Sequence, residues 1–148
     1  MFSQTVEYAL RAVLCLAQLP AEPRTADFIA ETMKVPRSYL AKVMQSLVKQ
    51  GMVSSQRGLR GGFQLVKDPA DINLLEVINA VDPIKRIDSC PLSIEAHQTP
   101  LCPLHRRVDQ AIATVEEAFA KTTLQEIIDE PVECKTLLEQ LGVESSDK

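Results

Sequence analysis

Two short helical patterns followed by a glycine-rich hairpin constrain the fold of this chain more than any other feature. The stretch "TADFIAETM" and the stretch that follows "KVP" both carry apolar residues at helical spacing. In the second stretch the apolar residues form one stripe, which consists of Leu40, Val43, Met44, Leu47 and Val48. The strand-like runs "MVSS" and "FQLVK" then flank the turn-forming sequence "RGLRGG". This order predicts a helix-turn-helix with a β-wing directly after its second helix.

Helical patterns also account for most of the remaining chain. Apolar spacing predicts a first helix over about residues 3–19, and Asn73 with Glu76 resembles a capping box before a helix near residues 74–81. Pro103 suits the first turn of a long helix. The apolar stripe of that helix consists of Leu104, Val108, Ala111, Ile112, Val115 and Phe119. A long helix appended to a complete module favours pairing with a second copy, and folding back onto its own domain is the alternative.

The predicted fold is mainly α with a small β-wing. It comprises a winged helix-turn-helix domain over residues 1–82, a cysteine–histidine loop over 83–103, a dimerisation helix region over 104–130, and a C-terminal helix and tail over 131–148. The apolar run "AVLCLA" is too short for a membrane span, and "MFSQTVEYAL" lacks the positive charge of a signal peptide. We therefore expect a cytoplasmic protein without a membrane partner, whose four cysteines stay reduced.

Charge is distributed unevenly along the chain. The net charge is −4, yet no aspartate or glutamate occurs from Met33 to Lys67. The basic residues of that window are Lys34, Arg37, Lys42, Lys49, Arg57, Arg60 and Lys67. A basic module inside an acidic chain is typical of a protein that binds a polyanion, and the alternative is a solvated basic face. Together with the helix-turn-helix and the wing, the window predicts that the partner is double-stranded DNA.

The candidate DNA-binding residues are those that point away from the apolar stripe and those on the wing. They are Arg37, Ser38, Tyr39, Lys42, Gln45, Lys49, Arg57 and Arg60. Arg37, Ser38 and Gln45 have donors or donor–acceptor pairs that can bond to base edges. Lys42 and Lys49 are better suited to phosphates. The wing arginines flank Gly58 and suit a narrow minor groove. For Tyr39 the alternatives are a phosphate contact and core packing or a helix-cap contact.

A second candidate site lies in the stretch "SCPLSIEAHQTPLCPLHRR". Cys90, His97, Cys102 and His105 follow the spacing C-x6-H-x4-C-x2-H, which differs from that of a Cys2His2 zinc finger. Four such ligands suffice for a tetrahedral zinc or for a [2Fe–2S] cluster with mixed ligation. Each cysteine precedes a proline, which stiffens the loop. The alternatives are that the histidines are surface or capping residues and that the site is empty of metal.

The segment from "TADFIAETM" to "INAVD", and above all "SQRGLRGGFQL", resembles the Rrf family of winged-helix regulators, typified by IscR and NsrR. The resemblance covers about residues 1–120, including "EYALRAVLCLA". It implies homodimers that bind palindromic operators through the winged helix. Many family members also carry an iron–sulfur cluster near the dimerisation helix.

The family's usual loop is Cys-x5-Cys-x5-Cys, and this chain departs from it. Cys90 and Cys102 keep the outer positions, and Ala96 stands at the middle one, next to His97. The resemblance also implies that Glu7 of the first helix could serve as a ligand to the partner subunit's cluster. Because two cysteines do not favour a cubane, we expect a [2Fe–2S] cluster with ligands drawn from these residues and His105.

The leading interpretation is a dimeric transcriptional regulator whose cluster senses redox state, nitric oxide or iron. One alternative is a regulator of the same fold without a cluster, which would sense thiol redox chemistry, a metabolite or a partner protein. Another is an adaptor stabilised by zinc. An enzyme is not expected, because no oxyanion-stabilising pattern accompanies the cysteines and histidines.

Overall fold

The computed structural model describes residues 2–90 and 101–131. Over these residues the fold is mainly helical with one two-stranded sheet, as the sequence predicts. The helices are α1 (Gln4–Gln18), α2 (Ala26–Met33), α3 (Arg37–Lys49), α4 (Leu74–Val81), α5 (Pro103–Lys121) and α6 (Leu124–Asp129), with a 3₁₀ turn at Pro69–Asp71. The strands are β1 (Val53–Gln56) and β2 (Gly62–Leu65). None of the helices described is long and apolar enough to cross a membrane.

The core forms around α1, which packs against α2, α3, α4 and α6. The helix begins after Ser3, whose hydroxyl accepts the N–H of Val6, so the predicted first helix is confirmed to within a residue at each end. Ala9, Ala12 and Val13 are completely buried on its inner face. Such small side chains at helical spacing allow several helices to approach the same one.

The two helices of the helix-turn-helix begin and end at identifiable signals. The side chain of Thr25 accepts the N–H of Phe28 and caps α2. Lys34 then turns the chain with a left-handed backbone (φ 53°, ψ 43°). Although proline suits the first turn of a helix, Pro36 precedes α3, because its ψ of 131° is extended and its carbonyl accepts the N–H of Leu40. Gly51, with φ 71°, follows the end of α3.

The wing is an antiparallel hairpin fixed to the rest of the domain. Val53 pairs with Leu65 at its base and Gln56 pairs with Gly62 at its outer end. Arg24, which precedes α2, exchanges backbone hydrogen bonds of 2.9 and 2.7 Å with Phe63. A Cβ atom at Gly62 would collide with the backbone of Arg24, so glycine is required for this close approach. The hairpin therefore has a fixed direction relative to α2 and α3.

The C-terminal helices return to the winged domain. The predicted capping box of Asn73 and Glu76 is present at the start of α4. After α5, the N–H of Leu124 donates to the carbonyl of Ile72 at 2.9 Å. The Leu124 side chain is completely buried in the same core as α1. Helix α6 thus belongs to the core of the winged domain, although it follows α5 in sequence. Ala96, His97, Cys134 and the predicted C-terminal helix lie outside the described residues.

Candidate functional site

One face of α3 is buried and the other is free for a ligand. Four apolar residues of the predicted stripe are buried, namely Leu40, Val43, Met44 and Leu47. The predicted DNA-binding residues of the helix are all exposed, namely Arg37, Ser38, Tyr39, Lys42, Gln45 and Lys49. This division follows from the sequence, because a 3.6-residue period separates the two sets onto opposite sides. The helix therefore presents a continuous polar surface with basic residues at both ends.

Arg37 is already paired in the free protein. Its Nη1 lies 2.6 Å from Oδ1 of Asp27 in α2, and both side chains are largely exposed. Asp27 lies outside the window without acids, which begins at Met33, so the charge pattern alone could not predict this pair. Exposed pairs of this kind contribute little to stability. Arg37 is therefore free to exchange Asp27 for a base edge or phosphate.

Tyr39 adopts a position between its two predicted roles. The ring is 46% exposed and packs edge-on against Tyr8, with ring centroids 5.7 Å apart. Tyr8 itself is buried in α1. Contact with a core residue limits the rotamers of Tyr39, while nearly half of the residue stays accessible.

The wing adds two further exposed cations to the winged domain. Arg57 and Arg60 are exposed on either side of the hairpin tip. The N–H of Gly61 donates to the carbonyl of Gly58 at 3.0 Å and closes the tip as a turn. In the described part of the chain, no carboxylate lies within 4.0 Å of either arginine or of Lys42 and Lys49. These four cations are unneutralised, as a phosphate-binding surface requires.

The end of the cysteine–histidine loop brings two predicted ligands together. Cys102 immediately precedes α5, and its Sγ lies 3.3 Å from Nδ1 of His105. Both residues are partly exposed. The first turn of α5 holds this spacing, because residues three apart lie on one side of a helix. Cys90 is 6% exposed at the other end of the loop.

The described residues fit part of a cluster's ligand set. Thiolate and imidazole are both donors that iron and zinc accept, and Cys102 with His105 supplies one of each. Within residues 2–90 and 101–131, however, no three cysteine, histidine or acidic side chains gather as a metal site. Glu7 is exposed and bonded to Arg11 at 2.9 Å, so it is not one of a gathered set within one protomer. His97 lies outside the described range.

The apolar stripe of α5 is only partly covered, and its first half is exposed. None of the 19 residues of this helix is buried. Leu104 is 66% exposed and Val108 is 42% exposed. The stripe forms one wall of an apolar groove of about 630 Å³, and Phe2, Val6 and Ile84 contribute to the other wall. Phe2 also packs edge-on against Phe119, with centroids 5.3 Å apart.

The first part of the cysteine–histidine loop is fastened to the side of α5. Arg86 bonds to Asp109 and, through Nη1, to Oε2 of Glu116 at 3.2 Å. The N–H of Ile87 adds a bond of 2.9 Å to Asp109. Sequence reasoning missed this contact, because its partners lie 23 and 30 residues from Arg86 and no local pattern joins them. Both ends of the cysteine–histidine loop are thus attached to α5.

Comparisons with known proteins give one consistent result. A family model described as "Rrf2: Iron-dependent Transcriptional regulator" matches residues 2–130. A protein of Aquifex aeolicus (strain VF5), named as an HTH-type transcriptional regulator, is 33% identical over 132 residues, which cover 87% of this chain and 92% of that protein.

Two solved structures share the fold. CymR (YrzC), titled the global cysteine regulator of B. subtilis, has 23% identity and a TM-score of 0.73, over 89% of this chain and 98% of that one. IscR of T. potens has 22% identity and a TM-score of 0.75, over 92% of this chain and 93% of that one. The predicted mainly α winged-helix fold is therefore confirmed.

Proposed function

The chain belongs to the Rrf2 family of transcriptional regulators, and we propose that it acts as a homodimer on palindromic operators under the control of a [2Fe–2S] cluster. The observation that carries this proposal is the arrangement along α5. The helix begins at the Cys102–His105 pair and continues as an apolar stripe that is exposed at Leu104 and Val108. A group bound at the loop would therefore act on the same helix that joins two protomers.

The proposed dimer rests on the exposed stripe of α5. Leu104 and Val108 are too exposed to stabilise one protomer, and a contiguous apolar surface of this kind is typical of an interface. A second copy of the chain is the fitting partner, because a stripe that lies along a helix pairs with itself about a twofold axis. Such a dimer places two recognition helices on one side of DNA, and their separation sets the half-site spacing.

In the proposed complex α3 reads the major groove and the wing contacts the backbone or minor groove. Arg37, Ser38 and Gln45 supply base-edge contacts, and Lys42 with Lys49 neutralises phosphates. The hydroxyl of Tyr39 donates to a phosphate, because the contact with Tyr8 directs the ring to the surface. Arg57 and Arg60 extend the cationic surface along the wing.

The proposed ligands of the cluster are Cys90, Cys102, His105 and His97, with Glu7 of the partner subunit as a further donor. Carboxylate and imidazole are weaker ligands to iron than thiolate, so this set favours an exchangeable cluster. A bound [2Fe–2S] cluster would supply one-electron redox chemistry and a response to nitric oxide or iron supply. The chain's own contribution is to hold Cys102 and His105 together at the start of α5.

Visible absorption and the iron and sulfide content of protein purified without oxygen test the cluster. We expect a coloured protein with about two iron and two sulfide per protomer, as a [2Fe–2S] centre requires. The colour should be lost in Cys102→Ala and kept in Cys15→Ala, because Cys15 is buried in the core. A colourless protein from iron-supplied cells, or colour that survives Cys102→Ala, would contradict this part of the proposal.

The Cys102–His105 contact favours a second candidate, in which the regulator has no cluster and senses oxidants through its thiol. A partly exposed cysteine beside an imidazole and before a helix is the arrangement of a reactive thiol. Burial raises the pKa of the Cys15 thiol to about 11, so this cysteine serves as an internal control. Mass spectrometry after brief iodoacetamide treatment at pH 8 should find Cys102 alkylated and Cys15 unmodified. The reverse order would exclude this candidate.

A further inference from the structure

Leu59 at the tip of the wing is exposed without any contact that explains it. Its side chain is 108% exposed, the largest value among the exposed large hydrophobic residues of the described chain. The two exposed aromatic residues among them touch neighbouring rings, since Phe2 packs on Phe119 and Tyr39 packs on Tyr8. Leu104 and Val108 lie on the stripe of α5. Leu59 is therefore the most accessible large apolar side chain of the described residues, and its position indicates which partner it can meet.

The geometry of the wing makes Leu59 a narrow projection. The Gly58–Gly61 turn places Leu59 at its apex, and the hydrogen bond across the turn is 3.0 Å long. Gly58, with φ 107°, has no side chain to widen the tip. A Cβ atom at Gly61 would lie 2.5 Å from the carbonyl oxygen of Gln56, so the turn is closely packed beneath the leucine. The projection is thus preformed and costs little entropy to immobilise.

Cations on both sides of Leu59 define the surface that it meets. Arg57 lies before it and Arg60 immediately after it, and both are exposed and unpaired with any described carboxylate. Two cations around an apolar tip match a groove in which phosphates flank stacked bases. An aliphatic side chain that enters a minor groove can wedge between base pairs and kink the duplex. Pyrimidine–purine steps unstack at the lowest cost.

We propose that Leu59 inserts into the minor groove as an apolar wedge and kinks the operator at a pyrimidine–purine step. This inference rests on the proposed function, since it deepens how the wing binds DNA. In this proposal the wing discriminates between DNA sequences without a hydrogen bond to any base. The sequence preference would come from the ease of unstacking, and the arginines would hold the wing against the phosphates.

The test uses the full-length protein and an operator that it selects from random duplexes. In a series of duplexes, 2-aminopurine replaces a base at successive positions near the wing, where its fluorescence reports unstacking. Dyes at the two ends of the duplex report the bend by energy transfer. Leu59→Ala should lower affinity about tenfold, as expected from losing much of a buried leucine side chain, and should reduce both the bend and the 2-aminopurine signal. Leu59→Met should retain them. Val66→Ala, which truncates an exposed apolar residue beyond β2, should change none of them.

The salt dependence separates this inference from the proposed function. Leu59→Ala should leave the slope of log affinity against log salt unchanged, whereas Arg57→Ala should reduce it. If Leu59→Ala has the same DNA bend, 2-aminopurine signal and affinity as the wild type, the wedge proposal is wrong, although the protein still binds DNA. If the wild-type protein selects no operator, the proposed function itself fails, together with the wedge.

Discussion

Arg86 donates two hydrogen bonds to Asp109, from Nε to Oδ1 at 2.7 Å and from Nη2 to Oδ2 at 2.6 Å. This bidentate geometry fixes the first part of the cysteine–histidine loop to α5. Cys102 fixes the other end of the loop to the start of the same helix. A change in the loop therefore reaches α5 at two points about two turns apart, which is how a small site could reorient a long helix.

The Arg86–Asp109 pair should make stability depend on pH in a defined direction. The hydrogen bonds from Arg86, and then from the N–H of Ile87, lower the pKa of Asp109 from 3.8 to about 2. Because the pKa is lower in the folded state, the stabilisation is present above pH 3.8 and is lost as the pH falls through about 2. Asp109→Asn should lower the melting temperature at pH 7, and its difference from wild type should vanish near pH 2. A difference that is constant with pH would contradict this account.

Leu124 should be as important to folding as the residues of α1. Its side chain is completely buried, so Leu124→Ala should lower the free energy of unfolding by about 2–5 kcal/mol in urea denaturation. Leu59→Ala is the matched control, because it removes the same atoms from a fully exposed site. It should leave the free energy of unfolding within about 0.5 kcal/mol of wild type. Equal effects would show that α6 is not part of the core.

The stripe of α5 should determine the oligomeric state. Val108→Glu places a charge on the exposed apolar surface, where dimerisation would bury it without a partner. We expect the dimer dissociation constant to rise by about a hundredfold or more, measured by sedimentation equilibrium. Gln110→Glu is the control, because it adds the same charge to an exposed position off the stripe. A dimer that tolerates Val108→Glu would place the interface elsewhere.

The wing arginines should carry part of the salt dependence of DNA binding. Each phosphate contact contributes about 0.9 to the slope of log affinity against log salt, so removing one arginine from both protomers should lower the slope by about 1.8. The slope is measured by fluorescence anisotropy of labelled operator DNA at several salt concentrations, for Arg57→Ala, for Arg60→Ala and for the variant that combines both. Lys121→Ala, which removes an exposed charge at the far end of α5, should leave the slope unchanged. Unchanged DNA binding in the double arginine variant would favour an adaptor that binds protein.

Local signals in the sequence were sufficient to predict the helices, the wing and the polar face of α3. Thr25 and Asn73 cap the helices that follow them, and Gly51 ends the helix before it. These contacts join residues a few positions apart, so they can be predicted without the tertiary structure. Other features depend on residues far apart in the chain. The Arg24–Phe63 pairing joins residues 39 positions apart, and Leu124 reaches the core only because α5 returns the chain to it.

The candidate sites were predictable as residue sets rather than as geometry. Exposure of the α3 and wing residues follows from the apolar stripe and the turn. The pairing of Arg37 with Asp27 does not, because it joins two helices across the turn. Spacing alone placed Cys102 and His105 together, since they share one helical turn. The bonds from Arg86 to Asp109 and Glu116 required the fold, because no periodicity connects them.

The most direct test of the central claim is the operator affinity of one preparation of protein before and after its cluster is removed. Removal by a chelator under reducing conditions leaves the polypeptide unchanged, and restoring iron and sulfide provides the reverse step. The account predicts that the dissociation constant changes by about tenfold or more and returns on reconstitution, as expected for two coupled sites. In Arg86→Ala, which removes the side-chain bonds between the first part of the loop and α5, the change should be smaller. The same dissociation constant with and without the cluster would contradict the account.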